Sequence, residues 1–301
     1  MSEENSYLRP LIVDFGTITF RLGWAGADNP EIIGPSVYVD TSDFIFTSEV
    51  IRGISEILIN ENESLPKYFF GEEALYYQNI LKIHELMEEQ NFGLIEKYFY
   101  NYYQKLNIPQ EFQFKQPVIV ITPFYLTDLE KKKIQHMFFQ TFDFPSLLFL
   151  SESQAILASL QKSSGVVINM GESHTYISTI LHGFTNIMAR DIFPIAGKEL
   201  TNAFLNMVLK EKGAGRNLYL TKTLAKEIKE KTCLCVNRPK ILTKQITEGL
   251  KDYNQTISFP DGSSLVINVE RFMLTEPLFD PKLIHIDYIK LDQALANIIK
   301  T

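Results

Sequence analysis

The chain has 301 residues, of which 45% are apolar and 22% are charged, a composition typical of a soluble globular protein of about two domains. Its net charge of −7 and its isoelectric point near 5.4 argue against a general nucleic-acid-binding surface. The first ten residues lack the apolar core of a signal peptide, and no apolar stretch approaches the roughly 20 residues that a membrane span needs. We therefore expect a protein of the cytoplasm or nucleus that contacts neither a membrane nor nucleic acid directly.

The first organised stretch runs from Leu11 to Gly26. An apolar run ends at Asp14, a turn containing Gly16 follows, and β-branched and aromatic residues then resume, which predicts a hairpin. Gly16 lets the backbone approach a ligand and turn its N–H groups outward, as in a phosphate-binding nest. Asp14 could then hold a hydrated Mg²⁺, and Arg21 could reach a phosphate oxygen. On this stretch alone, an ordinary hairpin explains the pattern equally well.

The rest of the first half alternates strands and helices, which predicts a mainly α/β architecture. Thr127 to Glu130 form a capping box that opens a helix. The pattern over Glu85–Asn107 predicts a helix whose aromatic side chains pack in the core. The other predicted elements are a strand over Glu31–Val39 that is interrupted at Gly34-Pro35, a variable insertion over Thr41–Ser64, strands over Pro117–Ile121 and Leu147–Leu150, and helices ending near Phe142 and Leu160.

The stretch from Gly165 to Gly183 repeats the opening design. A short apolar run ends at Asn169, Gly171 lies in the turn, and a β-branched strand returns. Asn169 follows Asp14 by 155 positions, and Gly171 follows Gly16 by the same 155. Two such hairpins, each opening an α/β half, predict an internally duplicated fold with two phosphate nests that face a cleft.

The remaining sequence predicts three helices and a hairpin. Gly197 immediately precedes a helix that ends near Lys212, and Pro260 to Gly262 form a clear hairpin turn. The other two helices are predicted over Thr221–Cys233 and Tyr288–Ile299.

An ordered set of segments resembles actin and the actin-related proteins. The segments cover nearly the whole chain in the family's order, with residues 41–83 the poorest part. They are Asp14-Phe-Gly-Thr17, Gly23-Trp-Ala-Gly26, Asn169-Met-Gly171, Ile195-Ala-Gly-Lys-Glu-Leu-Thr201, Glu227-Ile-Lys-Glu-Lys231, Phe259-Pro-Asp-Gly262, Glu270-Arg-Phe272 and Leu278-Phe-Asp-Pro281.

The resemblance implies a duplicated ribonuclease H-like fold, the actin-type ATPase fold, with ATP and Mg²⁺ in a central cleft. Its first half would be residues 1–160, with a variable insertion around residues 40–83. Its second half would be residues 161–301. We expect that second half to be incomplete, because the sequence stops at Thr301 before the segment that closes over adenine in actins.

The resemblance also assigns roles to individual residues. Asp14 matches the metal-associated aspartate, which would act through water, and Gly16, Thr17 and Arg21 match the first phosphate loop. The remaining matches are Gly171 in the second phosphate loop, Gly197 near the sugar and adenine, and Lys229 and Glu230 on the adenosine side.

Departures from the family pattern concern the chemistry of hydrolysis. Asn169 stands in place of the second aspartate, and a neutral amide attracts a hard dication much less than a carboxylate does. Glu152 stands in place of the glutamine that orients the attacking water, and a carboxylate could itself act as the base. Ile18 and Ser173 each replace a loop glycine, so we expect both loops to lose backbone freedom.

The leading hypothesis is therefore a divergent actin-related protein that acts as a structural or regulatory subunit of a cytoskeletal or chromatin-associated assembly. Its partners would be protein subunits, with actin and other actin-related proteins as candidates, and ATP hydrolysis would be weak or absent. The alternatives are an active Mg²⁺-dependent ATPase that uses Glu152 as its base, and an actin-like filament former. A small-molecule kinase of the same superfamily fits less well, because no sugar-specific or acid-specific group of residues is evident.

Overall fold

The computed structural model describes residues 7–45, 66–89, 91–212, 222–235, 254–259 and 262–301. The chain folds into two compact units, Met1–Gln161 and Lys162–Thr301. Much of the predicted insertion, residues 46–64, lies outside the described residues, as do Thr221 and two residues of the predicted hairpin turn, Pro260 and Asp261. No helix within these ranges is both long and apolar enough to cross a membrane.

The first unit contains a five-stranded sheet and a smaller three-stranded sheet. In chain order its elements are β1 (Leu11–Phe15), β2 (Thr19–Trp24), β3 (Ile32–Pro35), β4 (Val37–Asp40), β5 (Tyr68–Phe70), α1 (Glu72–Tyr76), β6 (His84–Glu85), α2 (Phe92–Gln104), a 3₁₀ turn (Gln110–Phe112), β7 (Pro117–Thr122), α3 (Asp128–His136) with a π-helical continuation (Met137–Thr141), β8 (Ser146–Ser151) and α4 (Glu152–Ser159).

The larger sheet has the spatial order β3-β2-β1-β7-β8. β1 to β3 form an antiparallel meander, whereas β7 runs parallel to both β1 and β8. Asp14 is aligned with Ile121, which is in turn aligned with Leu150. The carboxyl ends of β1, β7 and β8 therefore lie at the same edge of the sheet, where open α/β sheets commonly bind ligands.

The core of the first unit is rich in aromatic side chains from α2. Tyr98, Phe99, Tyr102 and Tyr103 are each at most 1% exposed, which confirms the predicted core role of this helix. The three tyrosine hydroxyls donate hydrogen bonds to Pro35, Glu72 and Gln116, so the phenols are buried without an unpaired polar group.

Two sequence predictions in this unit were wrong in detail. The helix expected from Glu85 begins at Phe92, because His84 and Glu85 instead pair with β4. The interruption expected at Gly34-Pro35 within the Glu31–Val39 strand lies instead at Ser36, and it separates two strands of two different sheets, β3 and β4. Tertiary pairing overrides local propensity in both places.

The second unit contains a three-stranded antiparallel sheet and a two-stranded hairpin within its described residues. In chain order its elements are β9 (Gly165–Met170), β10 (Thr175–Leu181), β11 (Phe184–Phe193), α5 (Gly197–Lys212), α6 (Lys222–Thr232), β12 (Gln255–Ser258), β13 (Ser264–Ile267), α7 (Glu270–Met273), 3₁₀ turns (Glu276–Leu278 and Pro281–Ile284) and α8 (Leu291–Lys300).

Its sheet has the order β11-β10-β9, the same meander as β3-β2-β1 of the first unit. The predicted repeat of the opening hairpin is therefore confirmed, whereas duplication of whole halves stays a prediction. α8 packs its buried face, Leu291, Ala294 and Ile298, against Ile177 and Phe193 of the sheet. A second cluster joins α5 and α6 to β13 and fixes the position of the α5 N-terminus.

Candidate functional site

The first loop, residues 16–18, connects β1 and β2. A Cβ atom added to Gly16 would lie 2.5 Å from the Thr19 carbonyl oxygen, so only glycine fits this close approach. Among the described residues, the N–H groups of the loop donate no hydrogen bond to the protein backbone. The loop thus offers free donors to an anion, as a phosphate-binding nest requires.

Ile18 and Ser173, which replace loop glycines of the family pattern, do not adopt a backbone conformation that requires glycine. The described residues with positive φ include neither of these positions, nor Gly16 nor Gly171. Glycine is needed at Gly16 because a Cβ atom would have no space there. The φ of Ile18 is not positive, so its β-branched side chain meets no left-handed backbone strain.

Asp14 and Arg21 occupy directly opposite positions of β1 and β2. The Arg21 guanidinium donates from Nη1 to Oδ2 of Asp14 over 2.9 Å. Burial raises the pKa of Asp14, and the hydrogen bond and charge of Arg21 oppose that rise. Arg21 was expected to reach a phosphate, and the structure instead pairs it with Asp14. A guanidinium has five N–H donors, so this pairing leaves others for a ligand.

Ser36 supports the first loop and was missed as a site residue from the sequence. Its hydroxyl donates to the Gly16 carbonyl oxygen over 2.7 Å, and its N–H donates to the Ile18 carbonyl oxygen over 2.8 Å. Ser36 is 1% exposed. The sequence signal for this role was limited to the position of Ser36, a small polar residue directly after the proline that ends β3.

Glu152 is the first residue of α4 and follows β8 directly. Ser151 caps this helix through a capping box with Gln154. Glu152 is half-buried, and its charge contributes to the raised pKa of Tyr125, about 12, of which burial is the main cause. Asp14 and Glu152 both lie at the carboxyl edge of the sheet, two strands apart, or about 10 Å across the sheet.

The second loop, residues 171–174, connects β9 and β10, and Asn169 is the second-last residue of β9. Asn169 donates from Nδ2 to the Tyr176 hydroxyl over 2.6 Å. The Gly171 N–H donates to the His174 carbonyl oxygen over 2.9 Å, and the Gly171 carbonyl oxygen accepts the Gly197 N–H over 3.0 Å. The Gly171 N–H is therefore already used by the protein, whereas the Glu172 and Ser173 N–H groups donate to no backbone acceptor within the described residues.

Gly197 begins α5 and is held by Lys229. The Lys229 ammonium donates to the Gly197 carbonyl oxygen and to the Thr201 hydroxyl, each over 2.9 Å. Burial lowers the pKa of Lys229, while the Glu172 carboxylate opposes that shift. A Cβ atom on Gly197 would collide with Oε2 of Glu172. The structure thus brings the predicted residues Gly197 and Lys229 together and adds Glu172 to them.

Glu230 does not join this group. Its side chain is 57% exposed and lies 3.9 Å from Lys226, which lies equally far from Glu172. Lys226 and Glu172 were missed from the sequence. The position of Glu172 directly after the loop glycine Gly171 was a sequence signal for its role. Lys226 offered no such signal beyond its place on a predicted helix.

The donors present suit a phosphate better than a directly bound dication. The first loop offers N–H groups and the nearby Arg21 guanidinium. One oxygen of Asp14 is already bonded to Arg21, and Asn169 provides only a neutral amide. Within the described part of the chain, no three His, Cys, Asp or Glu side chains converge as metal ligands. The first loop therefore suits a phosphate group rather than a bare metal ion.

Comparison with known proteins identifies the family. The family model described as actin matches residues 5–299. The chain is 25% identical to actin-29 of Dictyostelium discoideum over 304 residues, which cover 99% of this chain and 74% of the relative. It is 25% identical to centractin of Schizosaccharomyces pombe over 281 residues, which cover 91% of this chain and 69% of the relative. Because the family model spans almost the entire chain, the protein belongs to the actin family and has its mixed α/β, actin-type fold.

Proposed function

We propose that the protein is an actin-related structural or regulatory subunit that binds ATP through its first loop and hydrolyses it weakly or not at all. The observation that carries this proposal is the difference between the two loops. The first loop keeps its N–H donors available, whereas beside the second loop Asn169 is neutral and the Gly171 N–H is already bonded.

Weak hydrolysis follows from the chemistry of the metal and the attacking water. Members of this family usually bind ATP with a divalent cation. When bound, that cation neutralises phosphate charge and orients water, and carboxylate ligands hold it best. Asn169 cannot supply the negative charge, and Arg21 already balances the charge of Asp14. The chain therefore supplies little attraction for the cation beyond the phosphates themselves.

We also propose that the chain has two structurally related halves. Both units open with the same three-stranded meander, with Asp14 and Asn169 near the ends of corresponding strands. This agreement supports a duplicated ribonuclease H-like fold with halves at residues 1–160 and 161–301. On this view Gly16, Thr17 and Arg21 serve the phosphates, while Gly197 and Lys229 serve the nucleoside.

Protein partners are proposed on the basis of family membership. Relatives with about 25% identity include an actin and a centractin, and the acidic net charge does not suit a nucleic-acid surface. The partners would be subunits of a cytoskeletal or nuclear assembly, with actin or another actin-related protein as candidates. The location would then be the cytoplasm or the nucleus.

The second candidate is an active Mg²⁺-dependent ATPase, and one observation favours it. Asp14 and Glu152 share the carboxyl edge of the first sheet, so a metal-associated carboxylate and a candidate base lie on the same side of one unit. In this case Asp14→Asn and Glu152→Gln should each abolish turnover. Activity that is unchanged in both variants would exclude this candidate.

The deciding experiment is a steady-state ATPase assay with Mg²⁺ on the wild type and Asn169→Asp. The Tyr176 hydroxyl can donate as well as accept, so an aspartate fits the same place. The wild type should show no turnover above the buffer, and Asn169→Asp should bind Mg²⁺ more strongly. Wild-type turnover that needs Mg²⁺ and disappears in Glu152→Gln would overturn the proposed loss of catalysis.

A further inference from the structure

The strand β9 lies at one edge of the three-stranded sheet of the second unit, which has the order β11-β10-β9. Three of its apolar side chains are partly exposed, with exposed fractions of 40% at Val166, 39% at Ile168 and 48% at Met170. Because side chains alternate between the two faces of a strand, these three lie on the same face. We name this exposed apolar set the β9 row.

The β9 row also turns its backbone groups toward the open edge. The Gly171 N–H donates to the His174 carbonyl oxygen over 2.9 Å, and hydrogen-bonded pairs alternate along an antiparallel ladder. Asn169 and Val167 are therefore the residues that bond to β10, whereas the β9 row directs its N–H and carbonyl groups away from β10. Apolar side chains and hydrogen-bonding groups are thus presented together.

The opening strand of the first unit shows what such an edge accepts. Leu11 and Val13 of β1 precede Val166 and Ile168 by 155 positions, the spacing of the repeat between the two hairpins. Leu11 and Val13 are fully buried, in contrast to their counterparts in β9. The difference between the two units is that β7 pairs with β1 in parallel, on the side away from β2.

The added strand explains the burial of β1. Val13 is aligned with Leu22 of β2 on one side and with Val120 of β7 on the other, and both neighbours are at most 1% exposed. Ile168 is aligned with Ile177 of β10, which is fully buried and packs against α8. The sheet has no described strand beyond β9. The apolar core of the second unit therefore ends at the β9 row.

β9 also lacks the features by which natural edge strands avoid pairing with other chains. Such strands carry charged residues, above all lysine, or proline. The sequence of β9, Gly-Val-Val-Ile-Asn-Met, contains neither. A strand that pairs with it has to be uncharged, because a charge buried without an opposite charge is costly. β7 meets this requirement in the first unit, since each of its residues from Val118 to Ile121 is aliphatic.

We propose that the free edge of β9 is a docking site for an aliphatic, uncharged strand of a partner protein, which adds to the sheet parallel to β9 as β7 adds to β1. Main-chain hydrogen bonds to the β9 row provide affinity, and aliphatic side chains beside Val166 and Ile168 provide specificity. The assignment of this partner to the same assembly rests on the proposed function, whereas addition of the strand does not depend on ATP.

Amide hydrogen exchange of the full chain without nucleotide tests the open edge. After correction for intrinsic exchange, the N–H groups of Val167 and Asn169 should exchange at least about tenfold more slowly than those of the β9 row, because only the former are bonded within the sheet. Equal protection along β9 would overturn the proposal, since the edge would then already be occupied.

A fluorescein-labelled peptide with the sequence of residues 115–122 is the probe for the added strand. It should bind the wild type and slow the exchange of the N–H groups of the β9 row. A control peptide with proline in place of Ile119 and Ile121 lacks donors that a parallel ladder needs, and it should bind at least about tenfold more weakly. Equal binding of the two peptides would overturn strand addition.

Ile168→Lys places a charge in the β9 row and should weaken peptide binding at least about tenfold. Ile187→Lys is the matched control, because Ile187 is 68% exposed on β11 at the opposite edge of the same sheet, and its peptide affinity should equal that of the wild type. No binding to the wild type up to about 1 mM peptide, or equal weakening in both variants, would overturn the proposal. If Ile168→Lys does not fold, the exchange pattern and the two peptides decide.

Sedimentation equilibrium of the wild type distinguishes a partner strand from a second copy of this chain. We expect a monomer, and a dimer that Ile168→Lys dissociates but Ile187→Lys does not would overturn the proposal in favour of pairing between two copies. All of these measurements are made without nucleotide, so their failure leaves ATP binding by the first loop unaffected. Conversely, Mg²⁺-dependent ATP turnover by the wild type would overturn the proposed function alone.

Discussion

Ser36→Ala removes the hydroxyl that connects the first loop to the rest of its unit. Ser36 is 1% exposed, and its Oγ lies 2.7 Å from the Gly16 carbonyl oxygen. Alanine would leave that carbonyl without this donor, and an unsatisfied buried group costs about 1–3 kcal/mol. Because Gly16 is only half-buried, water can replace part of the bond, and we expect about 1–2 kcal/mol of destabilisation.

The same change should weaken ATP binding, because the loop that offers its N–H groups to phosphate is no longer held in one conformation. A loss of about 1.4 kcal/mol corresponds to a tenfold lower affinity. Urea unfolding measures the stability, and calorimetric titration with ATP measures the affinity. Ser159→Ala is the matched control, since Ser159 donates over 2.8 Å to Ile156 on the exposed end of α4.

Unchanged ATP affinity in Ser36→Ala, with a stability loss equal to that of Ser159→Ala, would refute the supporting role of Ser36. A lower free energy of unfolding with unchanged ATP affinity would show that Ser36 stabilises the fold but does not support phosphate binding.

Four further predictions concern the first loop, the Glu89 carboxylate, the second unit and assembly. Gly16→Ala places a Cβ 2.5 Å from the Thr19 carbonyl oxygen and should cost about 1–3 kcal/mol in urea unfolding and abolish ATP binding. The hydrogen bond from Tyr38 lowers the pKa of Glu89, so ionised Glu89 stabilises the fold above its unfolded-state pKa, and this stability is lost as the pH falls. Glu89→Gln should therefore reduce the change in the free energy of unfolding between about pH 5 and pH 3. Lys229→Met loses two hydrogen bonds and should destabilise the second unit by about 1–3 kcal/mol. The control Lys231→Met breaks only an exposed ion pair with Glu227 and should change the free energy of unfolding by less than about 0.5 kcal/mol. In sedimentation with ATP and Mg²⁺ the protein should stay in the supernatant, and a pellet that grows with concentration would instead favour the filament former.

The hairpins and caps could be predicted from the sequence because their signals are local. Apolar runs that end at Asp14 and Asn169 correctly located β1 and β9. Thr127 with Glu130 correctly located the start of α3, where both bonds of the capping box form. Such features depend on residues within about four positions of one another.

The parts of the site that could not be predicted depend on contacts between distant residues. Ser36 lies 20 positions from Gly16, and Lys229 lies 32 positions from Gly197. The acidic stretch after Glu85 has high helix propensity, yet pairing of β6 with β4 delays the helix to Phe92. The backbone φ of Ile18 and Ser173, which is not positive, could not be predicted because their sequence neighbours do not determine it.

The central claim is that the first loop holds phosphate while the chain does not assemble a catalytic metal site. Titration of the nucleotide-free protein with ATP, with and without Mg²⁺, tests it most directly. We predict measurable ATP binding that depends on Gly16 and changes less than about threefold on addition of Mg²⁺. Binding that requires Mg²⁺ and gains tenfold or more in affinity from it would refute this claim and favour an active ATPase.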